Sequence, residues 1–231
     1  MEITPIATYR CPLSGKFGLP RQSGVVPGLE GEIVFLPPFD NPDALRGLEG
    51  FSHIWVIWGF SEAIREGEAF RPTVRPPRLG GNERLGVFAT RSPFRPNHLG
   101  LSCLRIEEIV LYGEEGPAIK VSGADLMDGT PVYDVKPYIP YADSIPEAKE
   151  GFTSGEWSRL EVNFPDSLRK GLSQEDVNTV RSLLAEDPRP HYHDDPQRSY
   201  ALSYKGKDIV FMVDGKFLSV IEVREIRKDA E

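Results

Sequence analysis

Cysteine is scarce in this chain. Only Cys11 and Cys103 occur among 231 residues, too few and too far apart for a disulfide framework or a cysteine-bound zinc site, so both are expected as thiols. No stretch approaches the roughly twenty consecutive apolar residues a membrane helix needs. The opening MEITPIATYRCPLSG lacks the basic-then-apolar layout of a secretory leader, so a cytoplasmic protein without membrane contact is expected. Histidine is also sparse: His191 and His193 stand two apart beside Asp194 and Asp195 with no third His or Cys nearby, and no metal is expected. There is no Ser-His-Asp elbow, no P-loop and no Gly-x-Gly triplet, which disfavours a Rossmann-type nucleotide site.

Glycine and proline are abundant, at 22 and 21 residues. That density points to short elements joined by tight turns and favours strands over a helix bundle. Hydrophobic residues at 39% and charged residues at 27% are those of a globular chain with a core. Strand-like runs are expected at Ile3–Arg10, Glu32–Leu36, Ser52–Phe60, Leu85–Thr90, Leu101–Tyr112, Ala118–Ser122 and Val132–Tyr138. The run SHIWVIWGF, Ser52–Phe60, is nearly continuously apolar, as for a strand inside a closed or covered sheet; His53 within it reads as a core residue. Asn41–Gly50 reads as a short helix, with Asn41 as cap and Pro42 at its first position. So many strands without alternating helices fit an antiparallel barrel or sandwich, not a doubly wound sheet.

The organisation expected is a β domain over 1–142, a polar linker over 143–155, and a small α+β domain over 156–231. The last contains a strand at Ser158–Phe164, a helix opened by Ser173 and Asp176 at capping-box spacing, and strands Tyr200–Tyr204, Ile209–Val213 and Phe217–Val223 joined by Lys-Gly-Lys and Asp-Gly-Lys turns.

A net charge of −8 argues globally against a nucleic-acid partner, but the average hides a patch. Between Arg71 and Arg105 lie seven arginines (Arg71, Arg75, Arg78, Arg84, Arg91, Arg95, Arg105), no lysine and a single acid, Glu83. Arginine without lysine suits forked recognition of carboxylate or phosphate, although any one of these side chains can instead brace a loop carbonyl. In the run Gly86–Gly100, glycine and proline restrict the backbone around Arg91 and Arg95, which lowers the entropy cost of gripping an anion; His98 lies inside this loop. Further on, Asp125 and Asp128 flank a turn closed by Gly129, and Asp134, Lys136 and Tyr138 alternate along the following strand. Residues two apart share a face, so this carboxylate, ammonium and phenol form either an ion-paired surface or a proton-transfer set.

Together, Pro20-Arg21-Gln22, Arg46–Trp55 (RGLEGFSHIW), the arginine-rich loop ending at Asn82, Gly86–Gly100 and Asp128–Tyr138 (DGTPVYDVKPY) strongly resemble the TrmO (TsaA-like) family. The second unit resembles that family's carboxy-terminal domain through Asp187-Pro-Arg-Pro and the strands after it. The resemblance implies a single-sheeted antiparallel β-barrel followed by a small α+β domain. It also implies a homodimer that binds S-adenosylmethionine and methylates the exocyclic amine of N(6)-threonylcarbamoyladenosine beside the tRNA anticodon. Carried over by motif, cofactor contacts fall on Gln22, Ser23, Gly24, Val25, Ser61, Glu62, Arg91, Leu101, Ser122, Gly123, Ala124 and Asp125. The chain departs from the family pattern at His98, where a proline is common, and at Ser61-Glu62, where a His-containing pair is usual.

Methyl transfer from a sulfonium requires alignment and water exclusion more than a metal or covalent residue. The threonylcarbamoyl carboxylate calls for a cationic receiver, for which Arg71, Arg75 or Arg95 are candidates, with Asn97 and Asp128 as further substrate-binding residues. The attacking nitrogen is delocalised and gains from losing its proton, so Asp134 and Tyr138 are candidate acceptors and Lys136 a tuning group. Two other readings remain: a methyltransferase with a small-molecule acceptor, and a non-catalytic barrel that binds RNA or a nucleotide.

Overall fold

The computed structural model describes residues 2–13, 15–60, 70–76, 79, 83–155, 158–190 and 195–226. They form two compact units. The first comprises Met1–Arg10, Glu32–Val121 and Gly129–Glu156; the second gathers Cys11–Gly31, Ser122–Asp128 and Trp157–Glu231. The division is thus not collinear with the chain, as a linker at 143–155 alone would make it. Its cause is apolar: Leu13, Val26 and Leu29 are buried among Phe164, Val180, Leu202 and Phe211 of the second unit.

The first unit is a closed barrel. In chain order its strands are β1 (Ala7–Arg10), β2 (Glu30–Phe35), β3 (His53–Gly59), β6 (Leu99–Gly113), β7 (Gly116–Ser122) and β8 (Pro131–Pro137), with a separate two-stranded ribbon of β4 (Thr73–Val74) and β5 (Leu85–Gly86). Around the barrel the order is β1-β2-β7-β6-β3-β8, and β8 returns to β1 through Ala7↔Val132. The continuous apolar run expected to be covered becomes β3, hydrogen-bonded to β6 on one edge and to β8 on the other. Its alternate residues Ile54, Val56 and Trp58 are buried inside with Leu104 and Val132, while His53, Trp55 and Ile57 are only half-buried on the opposite face. The Trp58 indole N–H finds a partner in the barrel by donating to Ser102 Oγ at 2.9 Å.

Three expectations are corrected here. Only Leu85–Gly86 of the run Leu85–Thr90 is strand; Val87–Ala89 is a 3₁₀ turn closed by the Thr90 N–H donating to Val87 O at 3.1 Å, with the Val87 side chain buried. Asn41–Gly50 is not one helix but two 3₁₀ turns, Pro42–Leu45 and Leu48–Gly50, separated by Gly47 at φ +90°. The Asn41 cap itself forms, accepting from the Asp43 N–H at 3.0 Å. His53 is outside the core: its ring hydrogen-bonds Ser52 Oγ at 2.9 Å and meets Tyr138 edge-on.

After the short helix α1 (Pro140–Asp143), the second unit carries β9 (Glu161–Asn163), helix α2 (Gln174–Ala185), and strands β10 (Ser199–Tyr204), β11 (Lys207–Asp214) and β12 (Phe217–Glu225). The sheet order is β10-β11-β12-β9, with β9 parallel to β12 and the other pairs antiparallel. Helix α2 starts with the capping box read from the sequence, Ser173 and Asp176 each satisfying the other's backbone N–H. Its apolar face (Val177, Val180, Leu183, Leu184) is buried in the core. Among the described residues no helix is long and apolar enough to cross a membrane.

Candidate functional site

In the second unit, two of the segments expected to contact a cofactor lie together. The Gly24 N–H donates to Gly123 O at 2.8 Å, and the Gly123 N–H donates to Leu29 O at 2.9 Å, joining Gln22–Val25 to Ser122–Asp125. Both glycines take left-handed backbone, at φ +79° and +77°, a conformation disfavoured for residues with a Cβ. A Cβ on Gly24 would touch nothing within 4 Å, whereas one on Gly123 would lie 3.5 Å from the Gly24 backbone. The result is an open backbone strip at Gly24 resting on buried Ser122, Gly123 and Ala124, with Asp125 half-buried beside them. Asp128, expected to contact substrate, braces backbone: its Oδ1 accepts from the Cys11 N–H at 3.0 Å.

Beside the Gln22 turn lies a cavity of about 230 Å³ lined by Lys16, Pro20, Arg21, Leu183, Glu186 and Asp187. Desolvation on its wall lowers the Arg21 pKa from the ordinary guanidinium value, and Asp187 and Glu186 pull it back up. Asp187 holds Arg189 through a two-pronged ion pair, at 2.8 Å to Nε and 2.9 Å to Nη2. Sequence alone does not show this connection between Pro20-Arg21-Gln22 and Asp187-Pro-Arg-Pro: both motifs are visible, but Arg21 and Asp187 stand 166 positions apart.

In the barrel unit, the register of β8 against β3 sets Lys136 opposite Trp55 and Asp134 opposite Ile57, and the Tyr138 N–H bonds to His53 O. Asp134, Lys136 and Tyr138 therefore share a face, as their spacing requires, and it is the outer face of the barrel. Lys136 Nζ pairs with Asp134 Oδ2 at 2.8 Å, so the carboxylate and ammonium neutralise one another. The Tyr138 ring packs 5.8 Å from that of Trp55, a contact absent from the sequence reading although the alternation of β3 carries its signal. Leu101, opposite Ile57 on β6, lies on this same face and is 55% exposed.

Of the arginines, Arg71, Arg75 and Arg91 are exposed and Arg95 is half-buried. Arg95 Nη1 donates to Thr90 O at 2.9 Å, so one edge of its fork braces the loop. Asn97 is exposed in the turn that follows, where His98 takes φ +50°. Ser61, Glu62 and Asn82 lie outside the described residues, as do His191, His193 and Asp194.

Comparison with known proteins bears directly on these loops. A family model described as the tRNA-methyltransferase O N-terminal domain matches residues 8–144, and one described as the TrmO C-terminal domain matches 158–226. The chain belongs to the TrmO family. A relative from Escherichia coli K12 named tRNA (adenine(37)-N6)-methyltransferase is 41% identical over 210 residues, covering 87% of this chain and 88% of that one. A Pseudomonas aeruginosa protein named as a putative S-adenosylmethionine-dependent methyltransferase is 39% identical over 216 residues, 90% of each. The crystal structure of TrmO from P. aeruginosa superimposes with a TM-score of 0.78 at 31% identity, over 97% of this chain and 98% of that one. The expected barrel class and family are both borne out.

Proposed function

We propose that this protein is an S-adenosylmethionine-dependent tRNA methyltransferase acting on the exocyclic amine of N(6)-threonylcarbamoyladenosine at position 37, beside the anticodon. Membership of a family whose relatives are named tRNA (adenine(37)-N6)-methyltransferase supports the reaction class. The observation that carries it to this chain's own residues is the Gly24–Gly123 backbone junction.

When bound, S-adenosylmethionine supplies an electrophilic methyl group on a cationic sulfur. The strip at Gly24 fits such a donor: it offers backbone without obstructing side chains, with a carboxylate at Asp125 for its hydroxyls. Gln22, Ser23, Gly24 and Val25 with Ser122–Asp125 are the donor-binding residues we assign in the second unit.

The barrel's other work concerns the acceptor. Arg75, Arg71 or Arg95 binds the threonylcarbamoyl carboxylate, and a forked guanidinium with fixed loop anchorage positions the nitrogen at little entropic cost. Asp134 or Tyr138 takes the proton leaving that nitrogen, with Lys136 ion-paired to Asp134. We further propose a cytoplasmic homodimer in which two arginine stripes offset the overall negative charge.

The test is methyl transfer by the purified protein to tRNA carrying threonylcarbamoyladenosine, read by nucleoside mass spectrometry. A gain of one methyl on that nucleoside, absent from unmodified tRNA, is expected; transfer to a small metabolite and not to tRNA would replace this reading.

A further inference from the structure

Phe70 and Phe88 project from the barrel unit at 53% and 70% exposure. Their rings lie 6.3 Å apart and within 26° of parallel. Large apolar side chains on a loop surface lose favourable burial unless something covers them, and here they are also anchored. Phe88 sits in the Val87–Ala89 turn, fixed by the Val87 N–H to Pro72 O bond of 2.9 Å and the Thr90 Oγ1 to Val87 O bond of 2.8 Å. Ribbon pairing of Thr73 with Gly86 and Val74 with Leu85 joins the two phenylalanine-bearing segments. Arg71 adjoins Phe70; Arg84 Nη1 donates to Thr73 Oγ1 at 3.1 Å; Arg95 grips Thr90, two residues beyond Phe88. Arg71, Arg75, Arg84 and Arg91 are all exposed.

We infer that Phe70 and Phe88 form a stacking platform for unpaired bases of the tRNA anticodon loop, with Arg71 and Arg84 taking the adjoining phosphates. The inference rests on the proposed tRNA reading and adds to it the surface that holds the nucleotides next to the target. Two requirements of single-stranded RNA recognition meet here: flat aromatic faces that any base can cover, and cations along the path of the backbone. The rings are too close to admit a base between them, so stacking occurs on their outward faces. Charge selects the occupant: an apolar protein surface has no use for the exposed guanidiniums of Arg71 and Arg84 beside the rings, whereas a polyanion with exposed bases satisfies both features.

The experiment compares wild type, Phe88→Leu, Phe70→Leu, the double variant and Phe88→Trp. Leucine keeps apolar area and removes the π-face, and both sites are exposed, so the variants fold. Steady-state methylation of modified tRNA is measured with donor-binding calorimetry and the affinity for a seven-nucleotide single-stranded RNA carrying 2-aminopurine. The expected result is a KM for tRNA and an RNA dissociation constant raised roughly tenfold to hundredfold in the double variant, with kcat and donor affinity unchanged and Phe88→Trp at or above wild-type affinity. Unchanged KM and RNA affinity would overturn the inference while leaving the methyltransferase reading intact. Altered sedimentation with unaltered RNA affinity would also overturn it, in favour of a contact between copies. Wild-type protein that binds the oligonucleotide in a Phe88-dependent way without transferring methyl would sustain the platform and refute the catalytic reading.

Discussion

Gly100 has no room for a side chain: a Cβ there would stand 2.3 Å from the Trp58 indole, which is itself buried and hydrogen-bonded to Ser102. Gly100→Ala is expected to destabilise the barrel by about 1–3 kcal/mol, the usual cost of overpacking, as a lowered urea midpoint with an unchanged slope. Arg95 is more divided. Its bond to Thr90 O makes it a brace, while Arg75 has an exposed side chain in the same arginine-rich region. Arg75→Ala is therefore expected to lower kcat/KM for modified tRNA by roughly tenfold to hundredfold, the scale of a lost charge-assisted hydrogen bond, at unchanged stability. Arg95→Ala is expected to lower thermal stability as well. For Asp134→Asn the expected outcome is a lowered kcat for modified tRNA at unchanged donor affinity; full activity would leave Tyr138 as the acceptor.

At the scale of elements, α2 depends on Asp176. Partial burial pushes its carboxyl up, but hydrogen bonds from Lys205, Ser173 and Tyr204 outweigh that and hold it at about 2. A carboxyl lowered on folding contributes stability that is complete above its unfolded value and is lost as pH falls through the folded one. The contribution should therefore disappear between about pH 4 and pH 2, in proportion to on the order of 1 kcal/mol once solvent screening is allowed for. Asp176→Ala should remove that acid dependence and shorten α2 in amide exchange, with a cost of about 1–2 kcal/mol typical of a lost cap. This capping box was plain in the sequence because it is local, two residues three apart before an apolar stripe. So was the alternation that puts Asp134, Lys136 and Tyr138 on one face. What escaped was non-local: His53 reads as core because only the pairing of β3 with both β6 and β8 decides which of its faces is inside. The run Leu85–Thr90 reads as strand because its ribbon partner, the two-residue Thr73–Val74, belongs to a separate, earlier segment. Asn41–Gly50 reads as a helix because the left-handed Gly47 is indistinguishable there from an ordinary terminal glycine.

For the whole molecule, a net charge of −8 has to coexist with an RNA substrate. If the arginine stripe carries the phosphates, tRNA affinity should fall linearly in logarithm with rising salt, and neutralising Arg71 and Arg84 together should flatten that slope. A salt-independent affinity would remove the stripe from the interface. Sedimentation equilibrium should report two copies under assay conditions.

The excursions Cys11–Gly31 and Ser122–Asp128 give the threading of the chain a practical outcome. A protease that nicks the exposed stretch 144–155 produces two polypeptides, yet the amino-terminal one still contributes Leu13, Val26 and Leu29 to the apolar interior completed by the other. The fragments should co-elute until denaturant is added. A gene cut at the same place should yield an insoluble first half, so this domain pair cannot be shuffled as interchangeable cassettes.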